Sequence, residues 1–216
     1  MKDKLILAID ASTPLSSVCI SEGERIISST SVKPKMGHSE TLVPIIESLL
    51  KSSSLMIKDF DVIATTIGPG TFTGIRVGIS TAEGLAIPWG IKTIGVRTTL
   101  AMAMAVGRCV ERQAVIIDAR RGMAYIEKFI QPEVDGLPKS DGEIMLVEYE
   151  RMKDTINGWM PVALKEQVTY ILLTEYGLSP IPVLTPIACG VSGVANHYIK
   201  NNIEAPLKPL YIREPN

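Results

Sequence analysis

The sequence predicts a two-lobed α/β protein. In both halves of the chain, short runs of β-branched and apolar residues precede segments with helical periodicity, a pattern typical of sheets flanked by helices. The chain has 216 residues, 46% of them hydrophobic, which is sufficient for one large or two small cores. We therefore expect an N-terminal lobe over residues 1–97 and a C-terminal lobe over residues 98–216, with the end of the tail returning to the N-terminal lobe.

Composition narrows the function classes. The formal net charge is −1, so the chain has no overall electrostatic attraction to nucleic acid or to anionic membranes. Its cysteines are Cys19, Cys109 and Cys189, and their spacing matches no zinc-binding or redox motif. The sequence also contains no run of about 18 apolar residues, the length that a membrane span requires. These features predict a cytoplasmic protein with reduced thiols. If RNA is involved, we expect a partner to make most of the phosphate contacts.

The first strand indicates the fold class more narrowly. Leu5 to Ile9 form an apolar run that leads into Asp10 and Ser12, and a predicted β-hairpin follows. This order of strand, aspartate, hydroxyl-bearing turn and hairpin resembles the start of the actin-like ATPase fold (the ASKHA or ribonuclease H-like class). In that fold the turn approaches a nucleotide phosphate. Alternatively, Asp10 and Ser12 are ordinary turn residues that bond their own backbone.

One stretch joins a strand, a glycine turn and a helix. Val62 to Ile67 is too short and too β-branched for a helix, and the Gly-Pro-Gly sequence at 68–70 ends the predicted strand. Thr71 or Thr73 is expected to cap a helix that begins at about Gly74.

Such a turn can bind an anion, because its backbone N–H groups and the helix dipole both favour negative charge. The predicted nucleotide- or anion-binding residues are Asp10, Ser12, Gly68, Gly70 and Thr71. The turn is neither a Walker loop nor a nucleophile elbow, because the required Lys-Ser or Lys-Thr pair and the serine are both missing. A tight connection without a ligand remains the alternative.

Two helices of the N-terminal half carry packing surfaces. Thr41 to Ser52 is predicted as an amphipathic helix, with Pro44 in its first turn and a cap at Ser39 or Thr41. The helix after the glycine turn carries a ridge of small residues at every fourth position: Gly74, Gly78, Ala82 and Ala86.

A pair of arginines, Arg120 and Arg121, occupies a predicted hairpin turn of the C-terminal lobe. Arginines can bind an anion or the carboxylates of a partner, so we identify both as candidate partner contacts. The alternative is a solvated turn.

Five stretches, in order, resemble the TsaB (YeaZ) family of the glycoprotease-like superfamily. They are ILAIDAS (6–12), HSETLVPIIESLL (38–50), DFDVIATTIGPGTFTGIRVGISTAEGLA (59–86), IDARRGMAY (117–125) and PLYIREP (209–215). Residues 131–206 have little that matches. The resemblance implies a non-catalytic partner that scaffolds and activates TsaD, the transferase that forms N6-threonylcarbamoyladenosine in tRNA.

The resemblance also bears on the active site. TsaD-like sequences carry two metal-binding histidines at positions that are Thr98 and Met102 here, and neither side chain is a credible ligand. The resemblance therefore implies no catalytic residue, no metal and no cofactor, with ATP or ADP at the partner interface left open. The implied partners are TsaD, the ATPase TsaE in the full complex, and a second copy of the chain (a homodimer) when it is alone.

The same resemblance places the partner interface on the two N-terminal helices. The implied interface residues are Leu42, Ile45, Ile46, Leu49, Gly74, Ile75, Gly78, Ile79, Ala82 and Glu83. Glu83 stands where the family commonly has lysine, so we expect a matching charge change in the TsaD of the same organism. The alternative is that both apolar stripes face the protein's own sheet.

Two other function classes remain open. One is an independent ATP-dependent, kinase-like enzyme that uses Asp10, Ser12 and the glycine turn. The other is a glycoprotease-like peptidase. The sequence argues against it, because it contains neither HExxH nor a nucleophile–histidine pair with a plausible third member.

Overall fold

The computed structural model describes residues 3–107, 110–134 and 136–212, and Cys109 lies outside these ranges. The strands are β1 (Leu5–Asp10), β2 (Ser16–Glu22), β3 (Arg25–Val32), β4 (Val62–Gly68), β5 (Lys92–Arg97), β6 (Arg112–Arg120), β7 (Met123–Ile130), β8 (Lys139–Ser140), β9 (Met145–Glu148), β10 (Met160–Ala163) and β11 (Ile181–Pro182). The helices are α1 (His38–Ser53), α2 (Phe72–Ala86), α3 (Thr98–Val106), α4 (Met152–Thr155), α5 (Val168–Glu175) and α6 (Ile187–Lys200).

Two mixed sheets share one topology. The N-terminal sheet has the order β3-β2-β1-β4-β5, and the C-terminal sheet has the order β11-β10-β6-β7-β8, with β9 also paired to β7. In the first sheet β1 is antiparallel to β2 and parallel to β4. In the second, β6 is likewise antiparallel to β7 and parallel to β10. This repetition agrees with the predicted actin-like fold of two related lobes.

The hydrophobic core has three layers, because successive side chains of a strand face opposite sides of a sheet. Leu7 of β1 faces α1 and α2 on the outside of the N-terminal sheet. Ile6 faces the layer between the two sheets, where α3 and α6 pack and Met102 is fully buried. Ile116 and Leu173 pack on the outside of the C-terminal sheet, beside α4 and α5.

Helix α6 connects the lobes. The backbone N–H of Ala188 donates to Ser17 Oγ on β2 at 3.1 Å. A Cβ atom on Gly190 would lie 1.9 Å from the carbonyl oxygen of Ala101, so α6 and α3 are packed backbone against backbone. The predicted lobe boundary at residue 97 falls at the junction of β5 and α3.

The start of α1 differs from the prediction. The helix begins at His38, which places Pro44 in the second turn and not in the first. Gly37 is the N-cap residue, and the Thr41 hydroxyl donates to its carbonyl oxygen at 2.7 Å. Neither Ser39 nor Thr41 therefore caps the helix. Proline is accommodated because it faces solvent and removes only one helical N–H.

No helix in the described ranges combines the length and the apolar content that crossing a bilayer requires.

Candidate functional site

The predicted anion site is a closed hydrogen-bonded cluster around Asp10. This side chain is fully buried at the end of β1. Its Oδ1 accepts hydrogen bonds from the backbone N–H of Ser12 at 3.0 Å, from Ser12 Oγ at 2.6 Å and from Thr66 Oγ1 at 2.7 Å. Thr98 Oγ1 at the start of α3 donates to Ser12 Oγ at 3.0 Å. The cluster thus ties β1, β4 and α3 together.

The electrostatics of Asp10 reflect this enclosure. Burial raises the pKa of its carboxyl above the ordinary 3.8, while the hydrogen bonds from Ser12 and Thr66 act in the opposite direction. A carboxylate that binds a metal–nucleotide complex needs free lone pairs in a cleft. Here the donors belong to the chain itself.

The glycine turn packs on the backbone that follows β1. The N–H of Thr71 donates to the carbonyl oxygen of Ser12 at 2.8 Å. A Cβ atom on Gly70 would lie 2.2 Å from the same oxygen, and one on Gly74 would lie 1.9 Å from the carbonyl oxygen of Ala11. Both glycines are therefore required by close approach within the chain.

The predicted helix cap is wrong in its chemistry. Thr71 is the N-cap residue of α2, but its hydroxyl makes no capping hydrogen bond. Its Oγ1 is buried without a hydrogen-bond partner in the described part of the chain. The close contact of the turn with Ser12 takes the place of a side-chain cap.

The predicted anion-site residues thus meet, but the chain fills the space between them. One cavity that borders Asp10 has a volume of about 20 Å³ and is lined also by Leu15 and Ile187. That volume corresponds to about one water molecule. Nucleotide binding here stays a prediction, and it would require the turns at Ser12 and Gly70 to separate.

The C-terminal segment also packs against the glycine turn and against β5. The N–H of Leu210 donates to the carbonyl oxygen of Ile67, and the N–H of Gly95 donates to that of Ala205, both at 2.7 Å. Gly68 has a φ of +116°, and a Cβ atom there would lie 2.5 Å from the carbonyl oxygen of Leu210. A glycine inside an apolar strand, such as Gly95, was the available signal of close backbone approach.

Most of the implied interface residues are internal. Eight of the ten occupy buried positions against the N-terminal sheet: Leu42, Ile46, Leu49, Gly74, Ile75, Gly78, Ile79 and Ala82. In the single chain these side chains pack inside the protein, and their role at a partner interface stays a prediction. Ile45 is half-buried and Glu83 is exposed.

The outer side of these helices presents a different surface. A shallow groove of about 490 Å³ runs along the N-terminal part of α2 and reaches the start of α1. It is lined by Ser39, Phe72, Arg76, Val77, Ser80 and Thr81, among others. Gly84, one turn further along this face of α2, has no atom within 4 Å of the position of a Cβ. We call these seven residues the outer α1–α2 surface.

Exposed apolar side chains lie close to the outer α1–α2 surface in the sequence. Val43 on α1 is 44% exposed, and Ile87 and Trp89, which follow α2, are 76% and 57% exposed.

Arg120 and Arg121 lie at the exposed tip of the β6–β7 hairpin, where Arg121 and Gly122 form a two-residue turn. Both arginines have positive φ values, 63° and 55°, which is uncommon for residues other than glycine. Arg120 is held by Asp118, whose Oδ1 accepts from the Arg120 backbone N–H at 2.7 Å. Their role as partner contacts stays a prediction.

A buried ion pair between the lobes was missed. Glu127 on β7 is fully buried, and its Oε1 lies 2.6 Å from the terminal nitrogen of Arg97 at the end of β5. Ser140 Oγ donates to the same oxygen at 2.8 Å, and Thr99 Oγ1 donates to Oε2. The only sequence signal was one acidic residue within the otherwise apolar first part of β7.

The two positions at which TsaD-like sequences carry metal-binding histidines lie in the core of this protein. Thr98 and Met102 are both fully buried. In residues 3–107, 110–134 and 136–212, no group of three or more His, Cys, Asp or Glu side chains is arranged to hold a metal ion.

Comparison with known proteins identifies the family to which the chain is similar. The family model described as "TsaD: tRNA N6-adenosine threonylcarbamoyltransferase" matches residues 26–136. The chain is 29% identical to the tRNA threonylcarbamoyladenosine biosynthesis protein TsaB of Escherichia coli K12, over 92% of this chain and 95% of that protein.

Comparison with solved structures leads to the same family. YeaZ from Pseudomonas aeruginosa aligns with a TM-score of 0.76 and 25% identity, covering 97% of this chain and 100% of that one. Component A of (R)-2-hydroxyglutaryl-CoA dehydratase from Acidaminococcus fermentans aligns with a TM-score of 0.53 at 12% identity, covering 92% and 99%, and shares the fold alone. The chain has the actin-like ATPase fold and belongs to the TsaB (YeaZ) family.

Proposed function

We propose that this chain is a non-catalytic subunit in tRNA threonylcarbamoyladenosine biosynthesis that binds and activates the TsaD-family transferase of its own organism. The name of the Escherichia coli relative supports the pathway. The observation that carries the proposal is the outer α1–α2 surface. It is a groove bordered by short side chains and continued by a bare glycine, on helices whose other side is already packed.

Short side chains suit this surface to a partner helix. Ser80, Thr81 and Gly84 leave the backbone of α2 accessible, so a second helix can approach closely and bury its apolar side chains in the groove. Exposed apolar side chains at Val43 and Trp89 can add buried area to such an interface. The exposed carboxylate of Glu83 is expected to face a basic residue of the partner.

The buried positions of Thr98 and Met102 support the non-catalytic role. A catalytic metal keeps one coordination position open to substrate, whereas these side chains are buried inside the protein and carry no nitrogen donor. The chemistry would accordingly belong to the partner, and this chain would act by holding the partner in an active conformation.

A size series at Gly84 tests the proposal. Gly84→Trp places an indole on the outer surface, where the free protein has open space, and should weaken binding to the cognate TsaD-family protein at least 100-fold in calorimetric titration, about 2.7 kcal/mol. Gly84→Ala adds one methyl group and is the matched control, with affinity within a few-fold of wild type. Unchanged affinity of a folded Gly84→Trp variant would contradict the proposal.

Assembly follows from the same surface. In the absence of TsaD, two copies of the chain would pair through it, and TsaD would displace the second copy. TsaE would join the assembled pair, any ATP or ADP would bind between subunits, and the partner would contact the tRNA in the cytoplasm. Light scattering should find wild type as a dimer and Gly84→Trp as a monomer. A dimer in both would place self-association elsewhere.

A further inference from the structure

Side chains of the C-terminal segment and of α2 contact one another around an arginine at one end of the outer α1–α2 surface. The guanidinium carbon of Arg76 lies 3.8 Å from the centroid of the Phe72 ring. Its Nε donates a hydrogen bond to the hydroxyl oxygen of Tyr211 at 3.1 Å. The rings of Phe72 and Tyr211 are 5.2 Å apart between centroids. Each of the three side chains therefore contacts the other two.

Tyr211 is itself held in place by backbone contacts. The preceding residue, Leu210, donates its N–H to Ile67, and its carbonyl lies against Gly68. Further back, Ala205 accepts from Gly95. The tyrosine thus stands on a segment tied to β4 and β5, and it reaches a helix 135 positions earlier in the chain.

This geometry leaves one part of the guanidinium group available. Arg76 is exposed, and Nε is occupied by Tyr211. Within the described ranges no acceptor lies within hydrogen-bond distance of the two terminal nitrogens. An arginine held by stacking and by one hydrogen bond has lost much of its side-chain freedom already, so binding an anion costs less conformational entropy. Its two terminal nitrogens can donate two parallel hydrogen bonds to the two oxygens of a carboxylate.

We propose that Phe72, Arg76 and Tyr211 form a preorganised carboxylate-binding site that recognises an aspartate or glutamate side chain of the partner protein. This inference rests on the proposed function, because the arginine lines the groove assigned to the TsaD-family partner. A carboxylate next to an apolar side chain fits best, since the Phe72 ring beside the guanidinium is 36% exposed. Arginine and aromatic residues are common among the side chains that dominate binding energy at protein interfaces.

The test is a calorimetric titration of the full chain with its cognate TsaD-family protein, without nucleotide, in 50 and 500 mM NaCl. Arg76→Gln should weaken binding about tenfold or more at the lower salt concentration and reduce the dependence of Kd on salt. Tyr211→Phe keeps the ring contact and removes the hydroxyl acceptor, so it should weaken binding about threefold. Arg25→Gln, which removes an exposed arginine on β3, is the charge-matched control and should leave Kd unchanged.

The outcomes separate this inference from the proposed function. Wild type that fails to bind the partner overturns both. Wild-type binding with Arg76→Gln indistinguishable from Arg25→Gln, at both salt concentrations, overturns the carboxylate site alone. The titration is then repeated with ATP or ADP. If Arg76→Gln weakens binding only in the presence of nucleotide, the carboxylate site is also overturned, because the arginine would then bind a phosphate. Melting temperatures of the variants within a few degrees of wild type establish that the losses reflect binding.

Discussion

Two glycines on the same helix are expected to respond oppositely to the same substitution. Gly74 and Gly84 both lie within α2, and replacing a helical glycine with alanine stabilises a helix by about 1 kcal/mol. At Gly84 nothing lies within 4 Å of the added Cβ, so the full gain should appear. For a domain of this size that gain corresponds to a rise in Tm of about 2–4 °C.

At Gly74 the steric cost should exceed the gain. The added Cβ would lie 1.9 Å from the carbonyl oxygen of Ala11, and ordinary contact begins at 3.4 Å. Both sides are backbone, so α2 or the turn after β1 must move within a close-packed core. Overpacking of this kind costs about 1–3 kcal/mol, occasionally more, and a rigid carbonyl favours the upper end. We expect Gly74→Ala to lower the free energy of unfolding by about 2 kcal/mol net.

Urea denaturation of wild type, Gly74→Ala and Gly84→Ala measures both effects, with unchanged m-values as the condition for comparing them. The reasoning predicts a gap of about 3 kcal/mol between the two variants. If Gly74→Ala stabilises the protein as much as Gly84→Ala, the small-residue ridge does not face the chain's own turn. The assignment of inner and outer sides of α2 would then be wrong, and the proposed docking surface with it.

Two further predictions concern the buried carboxylates. Burial raises the pKa of Asp10, so the folded chain holds this proton more tightly than the unfolded chain does. The contribution of Asp10 to stability is therefore complete below pH 3.8, the ordinary pKa, and is lost as pH rises through the raised pKa. Denaturation at a series of pH values should show wild-type stability falling relative to Asp10→Asn over that window, and a constant difference would contradict it. Arg97→Ala should cost about 3 kcal/mol, the low end for breaking a buried pair, because Glu127 is fully buried and Arg97 is 35% exposed. Adding Glu127→Gln should recover part of that loss in the same denaturation assay, whereas a single-variant loss below about 1 kcal/mol would mean that water already solvates the pair.

Local patterns predicted the elements and their order, but not which side of a helix faces inward. Helix α2 has small residues on both sides, with Gly74 and Gly78 turned to the core and Ser80 and Gly84 turned to solvent. A four-residue spacing of small residues indicates close packing without identifying what packs. In the structure, the backbone of the turn after β1 packs against this ridge at Gly74.

The candidate site shows a similar division. Sequence motifs brought Asp10, Ser12 and the glycine turn together, because the ends of neighbouring parallel strands meet at one edge of a sheet. They did not show that backbone of the same chain occupies the space, since the contacts of Ser12 with Thr71 and of Gly68 with Leu210 span long separations in sequence. The pairing of Arg97 with Glu127 could not be predicted for the same reason, because the two residues belong to different lobes.

These internal contacts bear on how the fold is used. In an actin-like protein the lobes flank a cleft, and here that cleft is crossed by the Asp10 cluster, by the pair of Arg97 and Glu127, and by α6. Opening it would break several buried polar contacts at once, each of which costs about 1–3 kcal/mol when left unsatisfied. Opening would also separate the apolar layer between the sheets. A chain built this way is better suited to present a fixed outer surface than to cycle between open and closed states. Substitutions inside the cleft should therefore change stability and leave the partner affinity of the folded protein intact, whereas Gly84→Trp and Arg76→Gln should weaken partner binding while the protein stays folded.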